Sequence, residues 1–361
     1  MNFIDKNKCS GCTACMNICP KNCIKMQPDK EGFLYPEADA KLCVECGMCQ
    51  KVCPIDKTLR HEPNSVYAAK NKDNDARLNS TSGAIFTAIS KYVFSKNGIV
   101  VGCKFNEKFE AVHDFATNLK EMESFRGAKY VQSILDDTFK KVKTYLKNEK
   151  IVLFTGTPCQ VAGLTSYLGC QYENLITCDL VCHSVPSSIA LKAYINELES
   201  DNSSKIKSFL LREKSLKGWQ TSNLKVEFEN GEVYKELLKN TTFMKGFNKG
   251  LFNRPSCANC SYKDFRGTSD ITIGDYWGIE LKDRNFMDNL GVSLVLVNSE
   301  KGKEIFNQIE GELEYINTEI KDAVLKNPYV VTSSPAHKNR GVFFEEVGQQ
   351  KFSALVEKLL N

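Results

Sequence analysis

Long apolar runs are missing from this sequence. No stretch approaches the roughly 20 consecutive apolar residues that a helix needs to span a bilayer. The opening Met1-Asn2-Phe3-Ile4-Asp5 has none of the architecture of a secretion signal. A basic run is also absent: 48 Lys and Arg stand against 44 Asp and Glu, and a net charge of +4 gives no reason to expect nucleic acid or an anionic membrane as partner. No G-x-G-x-x-G follows the first strand-like segment of the larger region, so a Rossmann-type nicotinamide site has no support. No Ser/His/Asp or paired-carboxylate arrangement for hydrolysis is readable. Cysteine, by contrast, is abundant. Sixteen cysteines without a secretion signal argue for metal ligation over disulfides, in a cytoplasmic protein.

Eight of those cysteines stand in two tandem copies of one pattern: Cys9, Cys12, Cys15, Cys19-Pro20, then Cys43, Cys46, Cys49, Cys53-Pro54. Each copy is C-x₂-C-x₂-C-x₃-C-P, the spacing of bacterial two-cluster ferredoxins. Three closely spaced thiolates wrap one face of a cubane, and the fourth lies too far round the turn to close the same cage. The spacing therefore assigns Cys9, Cys12, Cys15 and Cys53 to one 4Fe–4S cluster, and Cys43, Cys46, Cys49 and Cys19 to the other. Structural zinc also takes four thiolates, but it does not ask for a triplet plus a displaced fourth cysteine, twice over. Cys23 lies outside the pattern and reads as a small buried hydrophobe.

Residues 1–57 are thus expected to form a dicluster ferredoxin domain, with a strand pair over Ile24 to Pro36 whose Phe33, Leu34 and Tyr35 cover the clusters. A polar linker follows at 58–65. The rest of the chain is long enough for a sizeable core of its own, and divides at about 150 into an N-terminal part (66–150) and a C-terminal part (151–361). Strands are predicted at Val66–Ala69, Ile99–Phe105, 150–155 and Leu175–Val181, alternating with helices from Ala84, over Asp136–Glu149, from Pro158 and over Pro186–Glu199. The run Ser80-Thr81-Ser82-Gly83 reads as the cap of the helix from Ala84. This order is α/β, with some parallel pairing. Beyond residue 205, Leu224–Phe228 alternates in polarity and Asn230-Gly231 signals a hairpin. Strands are expected at Asp270–Gly274 and Val292–Val297. Helices are expected near Glu300–Ile309 and over Val342–Leu360.

Cys159, Cys182, Cys257 and Cys260 sit beside turn signals, and a Cys-x-x-Cys pair plus two single cysteines is enough for a third tetrathiolate site, of either 4Fe–4S or zinc. Cys103, Cys170 and Cys178 read as core packing. Ser80 to Gly83, opening a helix, is a candidate anion site. His183, beside Cys182, is a candidate proton donor.

Taken together, the strings Val66-Tyr-Ala-Ala-Lys70, Ser80-Thr-Ser-Gly83, Phe125 to Ser133, Val152 to Gln160, Asp179-Leu-Val-Cys-His183, the pair Cys257/Cys260 and Asp270 to Trp277 resemble the coenzyme F₄₂₀ hydrogenase/dehydrogenase beta-subunit family, in its bacterial branch with an N-terminal dicluster ferredoxin domain. The resemblance runs essentially from end to end. It implies an FAD-containing iron–sulfur oxidoreductase with a mixed α/β flavin-binding region. Electrons would pass from ferredoxin or a similar carrier through the clusters to FAD, and on to a small-molecule acceptor. The alternative is an electron-transfer subunit serving a deazaflavin coenzyme or a partner enzyme. By the same resemblance Ser80, Thr81, Ser82 and Gly83 would hold the FAD pyrophosphate, Lys129, Tyr130, Gln132 and Ser133 would lie near the flavin, and Cys159, Cys182, Cys257 and Cys260 would ligate a third 4Fe–4S cluster. Lys129 and His183 are the candidate catalytic groups. Ala84 and Ser184 stand where relatives more often carry glycine.

Overall fold

Each cysteine turn of the N-terminal region ends in a very short helix, Ala14–Ile18 and Met48–Lys51, as seen in a computed structural model that describes residues 3–55, 57–215 and 218–361. Between them, strands β1 (Ile24–Pro28) and β2 (Leu34–Ala38) pair antiparallel with Ile24 opposite Ala38. Phe33 and Tyr35 are buried beside Cys9, and Cys23 is buried beside Cys19 and Cys49.

The larger region is built on an eight-stranded mixed sheet. In chain order its strands are β3 (Ser65–Asn71), β4 (Ile99–Phe105), β5 (Ala111–Ala116), β6 (Val152–Gly156) and β7 (Leu175–Leu180). A separate antiparallel sheet follows, of β8 (Ile206–Ser215), β9 (Gly218–Phe228) and β10 (Val233–Leu237), before β11 (Ile271–Asp275), β12 (Ser293–Val297) and β13 (Leu313–Thr318) return to the large sheet. The order across the large sheet is β13-β3-β12-β11-β7-β6-β4-β5. The run β4, β6, β7, β11 is parallel, and the flanking pairs are antiparallel.

Both faces of the parallel run are covered, which is why these strands read as near-continuous apolar stretches. Val100, Leu153 and Ile176 pack on one side under the helices Ile85–Ser95 and Glu300–Ile309. Their neighbours Ile99, Val101, Val152, Phe154 and Leu175 pack on the other side, under Thr138–Lys147 and Pro158–Leu168. Successive strand residues alternate between the faces, as the pleat requires. The small sheet packs its Phe209, Leu224 and Phe228 against the helices Ser188–Asp201, Thr242–Asn248 and Phe352–Leu360.

Several expectations need correction. Strands β5, β8 and β13 carry weak patterns and escape the sequence reading. The expected single C-terminal helix is two, Arg340–Glu346 and Phe352–Leu360, parted where Gly348 adopts a φ of 89° that a helix cannot continue. The Ser/Thr run does not cap the helix Ile85–Ser95 through its side chains; the capping position falls to Ala84, which makes no side-chain hydrogen bond there. Cys170, expected in the core, is exposed just past the helix-ending Gly169.

The small and large regions are closely joined. Gly163, in the helix Pro158–Leu168, packs so near the first cysteine turn that an added Cβ would lie 2.8 Å from Cys12 Cβ. Arg340 grips Glu31 through two N–H groups, and Ser187 and Ser188 donate to the carbonyls of Glu31 and Gly32.

Candidate electron-transfer site

Three groups of thiols follow one another through the molecule. Cys9, Cys12, Cys15 and Cys53 line a cavity of about 240 Å³ in the N-terminal unit. Cys19, Cys46 and Cys49 interact electrostatically with one another or through Cys23, which also feels Cys43. In the large region, β6 and β7 are adjacent parallel strands, so the loops leaving their C-terminal ends lie side by side. Cys159 follows β6 and Cys182 follows β7. A short turn, Pro255–Asn259, brings Cys257 and then Cys260 to the same place. All four line a cavity of about 300 Å³.

Burial first, then mutual repulsion, pushes these thiols up: Cys15 and Cys257 to about 12, Cys159 to about 11, Cys12 and Cys182 further. Left to themselves they stay protonated, and a cationic metal centre is what would make them thiolates. Among the described residues no three His, Cys, Asp or Glu side chains close on a single point as they would around one ion. Four cysteine sulfurs are a ligand set that either a 4Fe–4S cluster or a single zinc ion can use. Cys12 and Cys159 are close enough to feel each other's charge, so the first group abuts the third.

Beyond Cys182 lies a larger cavity, about 710 Å³, within the range of about 300–1,000 Å³ typical of small-molecule sites. It sits where ligands gather on open α/β sheets, outside the carboxyl ends of the parallel strands. Ser80, Thr81, Ser82, Lys129, Tyr130, Ser133 and His183 all line it. The helix Ile85–Ser95 begins at its edge, and that helix's first N–H groups have no side-chain cap. This is a donor set that fits a phosphate. Gly83 itself is pressed into the sheet, where an added Cβ would come 2.5 Å from the Ala69 carbonyl oxygen. The buried Lys214 holds the loop from behind by donating to the carbonyls of Arg77, Ser82 and Leu290.

Other named residues are placed differently. Gln132 turns away from the large cavity and accepts from Leu34 N at 3.0 Å, tying the loop to the N-terminal unit. Lys129 directs its ammonium to the carbonyls of Ser124, Phe125, Arg126 and Gly127, and burial draws it down to about 8. His183 packs 4.0 Å from the Tyr329 ring and 4.7 Å from Phe247. Burial, with help from Lys263, brings it to about 4, so at neutral pH it is an uncharged imidazole with one N–H. Cys103 faces the large cavity rather than the core.

Sequence reasoning missed the polar wall of this cavity. Arg212 and Asp275 pair at 2.5 Å with both side chains mostly buried, and Trp219 donates to the same carboxylate at 2.9 Å. Trp277 stacks on Trp219 at 4.8 Å between centroids. None of these carries a spacing signal: Arg212 lies within β8, Trp219 near the start of β9, and Asp275 and Trp277 at the end of β11 and just past it.

Residues 149–322 match the family described as the C terminus of the coenzyme F₄₂₀ hydrogenase/dehydrogenase beta subunit, and residues 8–57 match the 4Fe–4S dicluster domain. The chain carries this family's C-terminal domain behind a 4Fe–4S dicluster domain. An uncharacterised protein of Methanocaldococcus jannaschii is 26% identical over 340 residues, covering 84% of this chain and 87% of that protein. The pyruvate synthase subunit PorD of Methanothermobacter marburgensis is 42% identical over 60 residues, 17% of this chain and 63% of its own length. In fold, the beta-subunit-like chain superposes with a TM-score of 0.50 on a chain of the F₄₂₀-reducing [NiFe] hydrogenase complex from Methanosarcina barkeri, at 18% identity, covering 74% of this chain and 91% of that one. Among the described residues no helix is long and apolar enough to cross a membrane. The family and its dicluster domain make the chain a 4Fe–4S electron-transfer protein of oxidoreductase type.

Proposed function

We propose that this protein is an electron-transfer subunit that exchanges electrons between a low-potential protein carrier, such as ferredoxin, and a two-electron carrier of the deazaflavin class or the partner enzyme that uses it. FAD bound in the 710 Å³ cavity would supply the junction between one-electron and two-electron chemistry. The observation that carries the reading is the position of Cys159, Cys182, Cys257 and Cys260. They stand between the first N-terminal thiol group, which Cys159 meets through Cys12, and the large cavity, whose wall includes Cys182. The family name and the F₄₂₀-reducing complex of similar fold support the choice of a deazaflavin acceptor.

In this reading Ser80, Thr81, Ser82 and the uncapped start of the helix Ile85–Ser95 receive the pyrophosphate, and Tyr130, Trp277 and Tyr329 wall the rings from water. His183 offers its single N–H at the boundary between the third cluster and the flavin.

Anaerobic purification with iron, sulfide and flavin counts tests the reading. Three clusters require about 12 iron per chain, and two require about 8. Cys257→Ala should remove roughly four iron and leave the N-terminal clusters in place. An unchanged count, or a preparation without flavin at any stage, would overturn it.

A further inference from the structure

Arg254 carries a positive charge into the interior and pairs with no carboxylate among the described residues. It is 2% exposed. Its Nε donates to the Cys9 carbonyl at 2.9 Å, one terminal nitrogen donates to Gln132 Oε1 at 2.9 Å, and the other donates to the Leu34 carbonyl at 3.0 Å. All three acceptors are neutral. Arg212 and Arg340 have Asp275 and Glu31 as counter-ions, but Arg254 has no carboxylate partner among the described residues. The faces of Tyr35 and Phe33, with centroids 4.3 and 5.5 Å away, offset only part of the cost. A buried cation left without an anion costs several kcal/mol.

Thiol groups stand on two sides of Arg254. Arg254 binds the backbone of Cys9, the first cysteine of the N-terminal pattern. It also lines the cavity of Cys159, Cys182, Cys257 and Cys260, and its charge favours the thiolates of Cys159 and Cys257. A four-thiolate cubane is a net anion, and reduction makes it more negative.

We infer that Arg254 is the shared counter-ion of two 4Fe–4S clusters, the one on Cys9, Cys12, Cys15 and Cys53 and the one on Cys159, Cys182, Cys257 and Cys260, and that it raises the reduction potential of both above that of the outer cluster. The inference rests on the three-cluster reading above. A fixed charge in a low-dielectric interior stabilises the reduced state of whatever anion it faces. The outer group, with its exposed Cys46, has no such partner in Arg254, so an electron arriving there would run downhill toward the flavin cavity. Lys263, which donates to the carbonyls of Cys182 and Tyr329, is a second cation at the third cluster only. The contribution of Arg254 alone is therefore read most cleanly at the first cluster.

The test is a redox titration of the full chain followed by electron paramagnetic resonance, with iron counted in each preparation. Arg254→Gln removes the charge. Gln132→Glu leaves the guanidinium in place and sets a carboxylate against it, keeping an acceptor for Leu34 N. Both should lower the potentials of the first and third clusters by at least about tenfold in the reduction equilibrium, about 59 mV for one electron, with the outer cluster unmoved. If Arg254→Gln loses iron, Gln132→Glu decides. Full iron content with unchanged potentials in Gln132→Glu, or an equal shift of all three clusters, would overturn the inference. About 8 iron in the unsubstituted chain would instead remove the three-cluster reading beneath it.

Discussion

The eight N-terminal cysteines and the four in the large region are gathered by opposite means. The first eight lie in two short turns of chain, and the buried residues around them are the cysteines themselves with Ile24, Phe33 and Tyr35, and with Ala14, Val52 and Ile55 where the unit meets the large region. The other four follow the ends of the parallel strands β6 and β7, Cys159 in the first turn of the helix Pro158–Leu168, or come with the turn Pro255–Asn259, and those strands rest on ordinary apolar packing. In one region the metal is the core. In the other the apolar core stands apart from the four cysteines, which gather at its edge.

The largest effect expected from this contrast is selective unfolding on loss of iron. Anaerobic chelation should melt the N-terminal unit, which has too little apolar packing to stand alone, while the large sheet keeps its structure. Limited proteolysis of the iron-free protein should cut within the first 57 residues and spare the remainder, with most of the far-ultraviolet dichroism retained. If the N-terminal unit stayed as protected as before, its fold would not depend on the clusters and the comparison would break.

A second effect sharpens the contrast at the boundary between the two cavities. Asp179, on β7, lines both the third thiol site and the large cavity, and its Oδ1 has no hydrogen-bond partner. Burial raises its carboxyl to about 7, with Thr272, Ser269 and Lys263 pulling it part of the way back. A folded-state value above the unfolded one means the folded chain binds more protons. The contribution to stability is then present below about pH 4 and is lost as pH rises through about 7. Asp179→Asn should therefore be more stable than the natural chain at pH 8, by on the order of 2–4 kcal/mol, with the gap narrowing by more than half at pH 5. Denaturant midpoints at the two pH values measure it, and a gap independent of pH would show that the carboxyl is not the cause.

How far each region can be read from the sequence follows from the same difference. The pattern Cys9 to Cys19, repeated at Cys43 to Cys53, is local, so spacing alone announces the dicluster domain that residues 8–57 match. The apolar strands β4, β6 and β7 are equally legible, because burial on both faces leaves continuous runs. Arg212, Asp275 and Arg254 are not. Each is a single charged residue whose partner is far away in the chain, and nothing in its neighbours distinguishes it from a solvated one. Strands β5 and β13 sit at the sheet edges with one face open, which blurs their alternation. The Ser80–Gly83 segment falls between: its composition points to a helix start, but the residue that turns the chain into the helix is Ala84.

That residue gives the smallest and most pointed expectation. Ala84 has a φ of 64° and a ψ of 32°, the left-handed region, and it is buried at the wall of the large cavity. A Cβ costs about 1–2 kcal/mol there, of which glycine recovers part after its own entropy cost of about 0.5–1 kcal/mol. Ala84→Gly should accordingly raise the thermal midpoint by about 1–2 °C. It also removes the methyl group beside the uncapped N–H groups of the helix Ile85–Ser95, so on the proposed reading retention of flavin on dilution should improve or hold. A rise in midpoint with weaker flavin retention would mean that the methyl group packs against the cofactor, and that the phosphate is held elsewhere than at this helix start. The two readouts separate the backbone argument, which concerns the fold, from the anion argument, which concerns the site.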